Sequence, residues 1–307
     1  MPFSKLQNRF LKLPDNLKGA VLLLIAAGLF SLTVLLIKIL GKDLHVTQIV
    51  LIRQIIMTAI VAPAILKGFP GILKTKSPVL QSVRIVFALG ALLFGFSAFI
   101  NLPLADATAL GFAKSFFVSI FAILILKEVV GIRRWAATIA GFIGVIIMLQ
   151  PGTDNFSIFS IYAVLGAGCA GFVMVLIRLM SRTDDPKTIL AWQAVGVGII
   201  MIIPAIYYWH PPTLEQWLLL LGVGITSYLA QLFNIHAYKN GEASLMASLD
   251  YARLIYATLF GFLVFGNLPT LTTWIGASIV VAASIYTVWR EAVKKQTLTR
   301  THEGRIL

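Results

Sequence analysis

The chain alternates between long apolar runs and short polar connections along its whole length. A membrane-spanning helix needs roughly 20 mostly apolar residues. Ten runs approach that length: 19–40, 46–66, 80–100, 104–126, 132–149, 158–180, 188–208, 214–238, 242–265 and 271–289. The connections carry residues that end helices, such as Pro103, Gly152 and Pro269. The pattern predicts an all-α membrane protein with ten transmembrane helices.

The second half of the chain repeats the first half. Residues 36–40 (LIKIL) reappear 140 positions later as 176–180 (LIRLM), and Ala113-Lys114 reappears 139 positions later as Ala252-Arg253. Each repeat then holds five spans, an odd number, so the second repeat should enter the membrane from the opposite face. The predicted division is a segment at 1–18, two five-span repeats at 19–150 and 158–290, and a tail at 291–307.

Composition and charge support the membrane assignment and predict an orientation. The chain is 59% hydrophobic and 12% charged, whereas a soluble domain has about 25% charged residues. Of the 25 Lys and Arg residues, 18 fall in the two terminal segments and the connections on the same side, while the opposite connections hold only Lys42. The positive-inside rule predicts that both termini are cytoplasmic. Since this asymmetry accounts for the net charge of +13, we expect no nucleic-acid partner.

Cations inside the apolar runs are the main functional signal. A Lys or Arg at a span centre costs about 2.5–3.5 kcal/mol, so Lys114 and Arg253 should face the bundle interior and bind an anionic group. Asp250 lies three residues before Arg253 on the same helical face, which leaves an internal ion pair as an alternative. Arg53, in the outer half of span 2, is a third candidate.

Three other cations, Lys38, Arg84 and Arg178, lie near span ends. Long basic side chains at such positions can extend along the helix until the charged group reaches the lipid headgroups. We therefore expect these three residues to snorkel out of the apolar core and to have no part in binding.

Uncharged polar residues in the same spans are candidates for the wall of a binding cavity. They are Gln231, Asn234, Tyr251, Tyr256 and Ser115. Gln231 and Asn234 share one face of span 8 by their i, i+3 spacing. Such residues often only link helices through hydrogen bonds, and this alternative stays open. Asp250 is the candidate coupling site, because a mid-span carboxylate is costly unless it is paired or used.

The sequence offers no support for enzymatic chemistry. Residues 166–171 (GAGCAG) fit the spacing of a dinucleotide-binding loop, but they lie inside an apolar run and not between a strand and a helix. Close packing of helices through small residues explains them better. No HExxH, GxSxG or phosphate-loop motif occurs. We expect no enzyme, no cofactor and no metal site.

Two segments resemble EamA-type proteins of the drug/metabolite transporter superfamily. Residues 104–109 (LADATA) with Lys127-Glu128 resemble the fourth span of these proteins, and residues 250–254 (DYARL) with 265–269 (FGNLP) resemble the ninth. Asn267 departs from the acidic residue that the family often has there. The resemblance implies a secondary transporter of the bacterial inner membrane, with an inverted 5+5 repeat and cargoes such as amino acids, sugar phosphates or quaternary amines.

The charges and the resemblance together predict alternating-access transport of a small anionic or zwitterionic metabolite. An amino acid or organic acid is the first choice and a phosphorylated metabolite the second, with Lys114 and Arg253 binding the anionic group near the midplane. The alternatives are a flippase for lipid-linked carriers, an exporter of cationic drugs or quaternary amines and, with least support, a membrane enzyme. The expected partners are the small-molecule substrate, the lipid bilayer and a proton or sodium ion, in a monomer or homodimer.

Overall fold

The computed structural model describes residues 14–69, 71–126, 132–150, 153, 156–180, 183–184, 186–241, 246, 249–283 and 285–286. These residues form eleven α-helices: α1 (Asp15–Leu40), α2 (Val46–Gly68), α3 (Pro78–Asn101), α4 (Leu104–Gly111), α5 (Lys114–Leu126), α6 (Ile132–Leu149), α7 (Ile158–Met180), α8 (Pro186–Tyr207), α9 (Leu214–Asn240), α10 (Ala252–Phe265) and α11 (Leu271–Ala283). A short 3-10 helix, Gly71–Leu73, lies between α2 and α3.

The predicted all-α membrane fold is confirmed within the described residues, which contain helices and turns but no strand. Six segments are long and apolar enough to cross a bilayer, and four shorter apolar helices cover the remaining predicted spans. Since α4 and α5 share the fourth span, the eleven helices match ten spans. The tail at 291–307 and residues 1–13 of the N-terminal segment lie outside the described residues, and the cytoplasmic position of both termini stays a prediction.

The two halves of the chain interlock through matching pairs of helices. Helix α1 runs antiparallel to α9: Gly19 lies against the backbone of Gly241, and the Thr33 and Thr226 hydroxyls lie 2.7 Å apart. Helix α3 runs antiparallel to α7 in the same way, with Gly166 against the backbone of Gly95. The first helix of each repeat therefore packs on the third span of the other, as a pseudo-two-fold axis requires.

Small residues allow these close approaches, as the sequence predicted for the glycine-rich run in α7. A methyl group on Gly166 would lie 2.9 Å from the Gly95 nitrogen, and one on Gly171 would lie 3.1 Å from the Lys114 carbonyl oxygen. Helices α6 and α11 cross where Gly144 and Gly276 meet, since a methyl on Gly276 would lie 2.5 Å from the Gly144 oxygen. A larger side chain at any of these positions would force the packed helices to shift.

The predicted snorkelling of Arg84 and Lys38 is wrong. Arg84 is completely buried, and its guanidinium donates to Gln193 Oε1 at 2.8 Å and to the Ile189 carbonyl oxygen at 2.5 Å. Lys38 donates to the carbonyl oxygens of residues 100 and 102 at the end of α3. In both cases, oxygen atoms of neighbouring helices bind the charged group inside the protein, in place of the lipid headgroups. The local sequence gives no sign of these acceptors. Arg178 is exposed, and its extension to the headgroups stays a prediction.

Spans 4 and 9, predicted as continuous helices over 104–126 and 242–265, are interrupted. Helix α4 ends at Gly111 and α5 begins at Lys114, while Asp250 and Tyr251 form a turn before α10. Bonds of the i→i+3 type mark both turns, for example Leu254 N to Tyr251 O at 3.0 Å. Gly111 and Asp250 are equivalent in the two repeats, and both are poor helix formers. The hydropathy pattern does not reveal these interruptions, because both spans are apolar on each side of the break.

One buried carboxylate ties two connections together at the ends of the helices. Asp184, between α7 and α8, is 7% exposed. It accepts hydrogen bonds from the Thr75 hydroxyl, from Lys76 N at 2.9 Å and from Gln81 Nε2 at 3.1 Å. Burial alone raises the pKa of the Asp184 carboxyl, but these hydrogen bonds outweigh it and bring the pKa below its usual value of 3.8.

Asp184→Asn is expected to lower the free energy of unfolding by about 2 kcal/mol, because hydrogen bonds to a charged acceptor are lost. Since the folded pKa lies below the unfolded one, the carboxylate stabilises the protein above the unfolded pKa and ceases to do so as the pH falls through the folded pKa. Thermal unfolding of the detergent-solubilised protein between pH 7 and pH 3 measures both effects. The control is Asp15→Asn, because Asp15 is exposed and forms only a surface ion pair with Lys18; an equal loss in both variants would contradict the prediction.

Candidate binding cavity

A cavity of about 250 Å³ lies between α1, α2, α3, α9 and α10, so both repeats contribute to its wall. Its lining consists of Phe30, Thr33, Val34, Arg53, Phe96, Ser227, Ala230, Gln231, Asn234, Ile235 and Arg253. Four of these residues, Arg53, Gln231, Asn234 and Arg253, are candidates that the sequence singled out. The fold brings them together from three different helices.

Arg53 projects from α2 into the cavity and forms no ion pair within the described part of the chain. Its Nε donates to the Ser227 hydroxyl at 2.9 Å, and its guanidinium carbon lies 5.8 Å from the centre of the Phe96 ring. No carboxylate of the described residues comes within 4.0 Å of it. Arg53 therefore brings a positive charge to the cavity that no described carboxylate neutralises.

Arg253 forms the ion pair that its spacing suggested. Its Nε lies 2.8 Å from Asp250 Oδ1, with both side chains largely buried at 15% and 20% exposure. The N–H does not point along the line to the oxygen, so the contact is an ion pair without a well-formed hydrogen bond. The guanidinium also lies 4.5 Å from the centre of the Phe30 ring. Asp250 thus neutralises Arg253 in this conformation.

Two side-chain amides on α9 complete the polar wall. Gln231 and Asn234 both line the cavity, as their shared helical face predicted. Neither amide forms a hydrogen bond with a described residue. An amide carries both donors and acceptors, so this wall can bind a carboxylate, a hydroxyl or an amino group.

The other candidates lie outside this lining. Ser115 donates to the Phe112 carbonyl oxygen at 2.8 Å, the Tyr251 ring packs against the Phe112 ring at 4.7 Å, and Tyr256 packs beside Gly28. None of these three residues lines the cavity in this structure, and their part in binding stays a prediction.

Lys114 stands apart from this lining as well. It lies within electrostatic range of Arg253 and Asp250, yet it forms neither a hydrogen bond nor an ion pair with any described residue. Its charge is therefore half-buried between the repeats, without a close partner among the described groups.

The two helix breaks meet at the pseudo-two-fold axis. Phe112 and Tyr251, whose rings touch, are equivalent positions of the two repeats. Each break is followed by a cation, Lys114 or Arg253. The Arg253 carbonyl oxygen accepts from the Ser31 hydroxyl at 3.2 Å. Position 171 is the equivalent of 31, and there a glycine approaches the Lys114 carbonyl. Paired breaks that carry charged residues mark binding sites in many repeat-built membrane proteins.

The sequence missed several lining residues. Ser227 could have been found, because it lies four residues before Gln231 and seven before Asn234, and these spacings place all three on one helical face. Phe30 and Phe96 gave no signal, since a phenylalanine within an apolar run is ordinary in any span. The described residues contain no group of three or more His, Cys, Asp or Glu side chains that could hold a metal ion.

Comparisons with known proteins show the family and the fold of the chain. The chain matches the EamA-like transporter family twice, over residues 17–150 and 157–289. It is 24% identical to the S-adenosylmethionine uptake transporter of Rickettsia prowazekii, over 95% of this chain and 99% of that protein. It is 29% identical to the riboflavin transporter of Vibrio cholerae, over 79% and 83% of the two chains.

Two further similarities cover most of the chain. The pseudopaline exporter CntI of Pseudomonas aeruginosa is 29% identical over 88% of this chain and 96% of its own. A solved crystal structure shares the fold with a TM-score of 0.59 at 19% identity, and the match covers 86% of this chain and 95% of the other. The fold is thus one already seen in another protein.

Proposed function

The chain belongs to the EamA-like transporter family of the drug/metabolite transporter superfamily, and from this premise we propose a cargo and a mechanism. The protein is a secondary active transporter that moves a small anionic or zwitterionic metabolite across the bacterial inner membrane. Both termini lie in the cytoplasm, and the two repeats rock about the pseudo-two-fold axis to open the site to each side in turn. An amino acid or organic acid is the first choice of cargo.

The observation that carries this proposal is the charge and shape of the cavity. Two guanidinium groups and two side-chain amides line a space of about 250 Å³ between the repeats. Guanidinium groups bind carboxylates and phosphates through paired hydrogen bonds, and they repel cations. The relatives named above carry different cargoes in different directions, so the cargo class is argued from the cavity alone.

The ion pair between Arg253 and Asp250 supplies a means of coupling. Protonation of Asp250 would release Arg253, which could then bind an anionic group of the cargo. Loss of the proton would restore the ion pair and expel that group. Asp250 is therefore the proposed proton-coupling residue, and Lys114 the proposed second cation of the site, brought to the cargo when the repeats change position.

A thermal-shift screen of the purified protein tests this proposal. A compound that binds only the folded protein raises its melting temperature by mass action. The screen compares amino acids, organic acids, phosphorylated metabolites and quaternary amines, each with the native protein and with Arg253→Gln. We expect an amino acid or organic acid to raise the melting temperature of the native protein. With Arg253→Gln, the concentration needed for the same rise should be at least tenfold higher.

The control is Arg178→Gln, which removes an exposed arginine of α7 that does not line the cavity. It should respond to the stabilising compound as the native protein does. Stabilisation by quaternary amines alone, equal in all three proteins, would contradict an anionic cargo. Stabilisation by lipids alone would favour a flippase.

A further inference from the structure

The two arginines of the cavity are not equivalent, and the difference indicates which chemical group the cavity selects. Arg253 is neutralised by Asp250 at 2.8 Å, whereas Arg53 has no carboxylate of a described residue within 4.0 Å. Resting on the proposed function, we propose that Arg53 is the anchor for a single carboxylate group of the cargo. The cavity then selects carboxylates over phosphates.

The donors of Arg53 are arranged for a two-point contact. A guanidinium has five N–H groups in a fixed plane. The Nε–H of Arg53 is used by the Ser227 hydroxyl at 2.9 Å. The four N–H groups on the two terminal nitrogens form no hydrogen bond with a described residue. Two of these N–H groups, one on each terminal nitrogen, match the two oxygens of a carboxylate.

The surroundings hold this guanidinium in place. The Phe96 ring lies on one side, with its centre 5.8 Å from the guanidinium carbon, and the Ser227 bond fixes the inner nitrogen. A group restrained in this way loses little conformational freedom when an anion binds. Lysine at this position would keep the charge but could not offer two parallel donors.

Charge balance separates a carboxylate from a phosphate. Among the side chains that line the cavity in this conformation, Arg253 is paired with Asp250, so Arg53 carries the one uncompensated positive charge, which a carboxylate neutralises. A phosphate monoester brings close to two negative charges at neutral pH and would leave an excess negative charge in a site of low dielectric constant, which is costly. Gln231 and Asn234 can bind hydroxyl, amide or amino groups on the rest of the same molecule.

Acetate is a direct probe, because any carboxylate cargo presents the same group. The melting temperature of the detergent-solubilised protein is measured at pH 7.5 against increasing sodium acetate, inorganic phosphate and acetamide, at ionic strength held constant with sodium chloride. We expect acetate to raise the melting temperature saturably, and to do so more than phosphate at equal concentration. Acetamide, which has the same shape without the charge, should have no saturable effect.

Variants connect the effect to Arg53. Arg53→Gln should raise the half-saturating acetate concentration at least tenfold, and Arg53→Lys should raise it several-fold. Arg178→Gln is the matched control and should leave it unchanged. If Arg53→Gln does not fold, Arg53→Lys decides the matter, because it retains the charge that the fold accommodates.

Three results would overturn the anchor: no saturable effect of acetate, an equal effect in the native protein and the Arg53 variants, or greater stabilisation by phosphate. These results are distinct from failure of the proposed function. If acetate has no effect while a metabolite is still transported, only the carboxylate anchor is wrong. If acetate binds through Arg53 and no metabolite is transported, the transport proposal is wrong.

Discussion

Lys114→Met is expected to make the protein more stable and to stop transport. The Lys114 ammonium has no hydrogen bond or ion pair with the described residues, and it lies within electrostatic range of Arg253, a like charge. A cation in the centre of a span costs about 2.5–3.5 kcal/mol. Asp250 and the partial exposure of the side chain recover part of this cost. Methionine fills the same space without a charge, so the expected gain is about 1–2 kcal/mol.

The functional half of this prediction follows from the same cost. A buried charge that destabilises the fold is retained where it binds a ligand. The melting temperature and the uptake of a stabilising carboxylate into proteoliposomes are measured on the same preparation. The control is Lys18→Met, which breaks only a surface ion pair and should change the melting temperature and the uptake little. A destabilised Lys114→Met variant that still transports would show that this lysine has a structural role.

Breaking the Arg253–Asp250 pair from one side should destabilise the protein by about 3 kcal/mol. Removing one partner of a buried ion pair leaves the other charge desolvated and uncompensated, which usually costs 3–5 kcal/mol. The partial exposure of both side chains places the expected value at the lower end of that range. Asp250→Asn should lower the free energy of unfolding more than Arg253→Gln does, because Arg253 would remain charged beside Lys114.

A double-mutant cycle measures the coupling of the two charges. Asp250→Asn, Arg253→Gln and the double variant are compared by chemical unfolding in detergent. The double variant should be more stable than Asp250→Asn alone, because no unpaired charge is left at the pair. Additive effects of the two substitutions would contradict the ion pair. The Asp250→Asn variant should also lose any dependence of transport on a proton gradient.

The sequence predicted the number of spans and much of the polar wall because both depend on local pattern. Apolar runs of span length stand out in any membrane protein. The spacing of Gln231 and Asn234 fixes their common face, and the three-residue step from Asp250 to Arg253 fixes their contact. These features need no knowledge of neighbouring helices.

What could not be predicted depends on contacts between distant segments. Arg84 is buried because Gln193 and a carbonyl group of α8 supply acceptors. These acceptors could not be predicted from the residues near Arg84 in the sequence. Phe30 and Phe96 line the cavity because α1 and α3 meet α9 and α10 there. The interruption of spans 4 and 9 left only a weak trace, a poor helix former at each of two equivalent positions, Gly111 and Asp250.

Transport by the purified protein shows whether this cavity carries a carboxylate across the membrane. Proteoliposomes are incubated with a metabolite extract, and mass spectrometry identifies the compounds that accumulate inside. We expect carboxylate-bearing metabolites to accumulate with the native protein and with Arg178→Gln, but at least tenfold less with Arg53→Gln. Accumulation of cations alone, or equal accumulation with Arg53→Gln, would contradict this expectation.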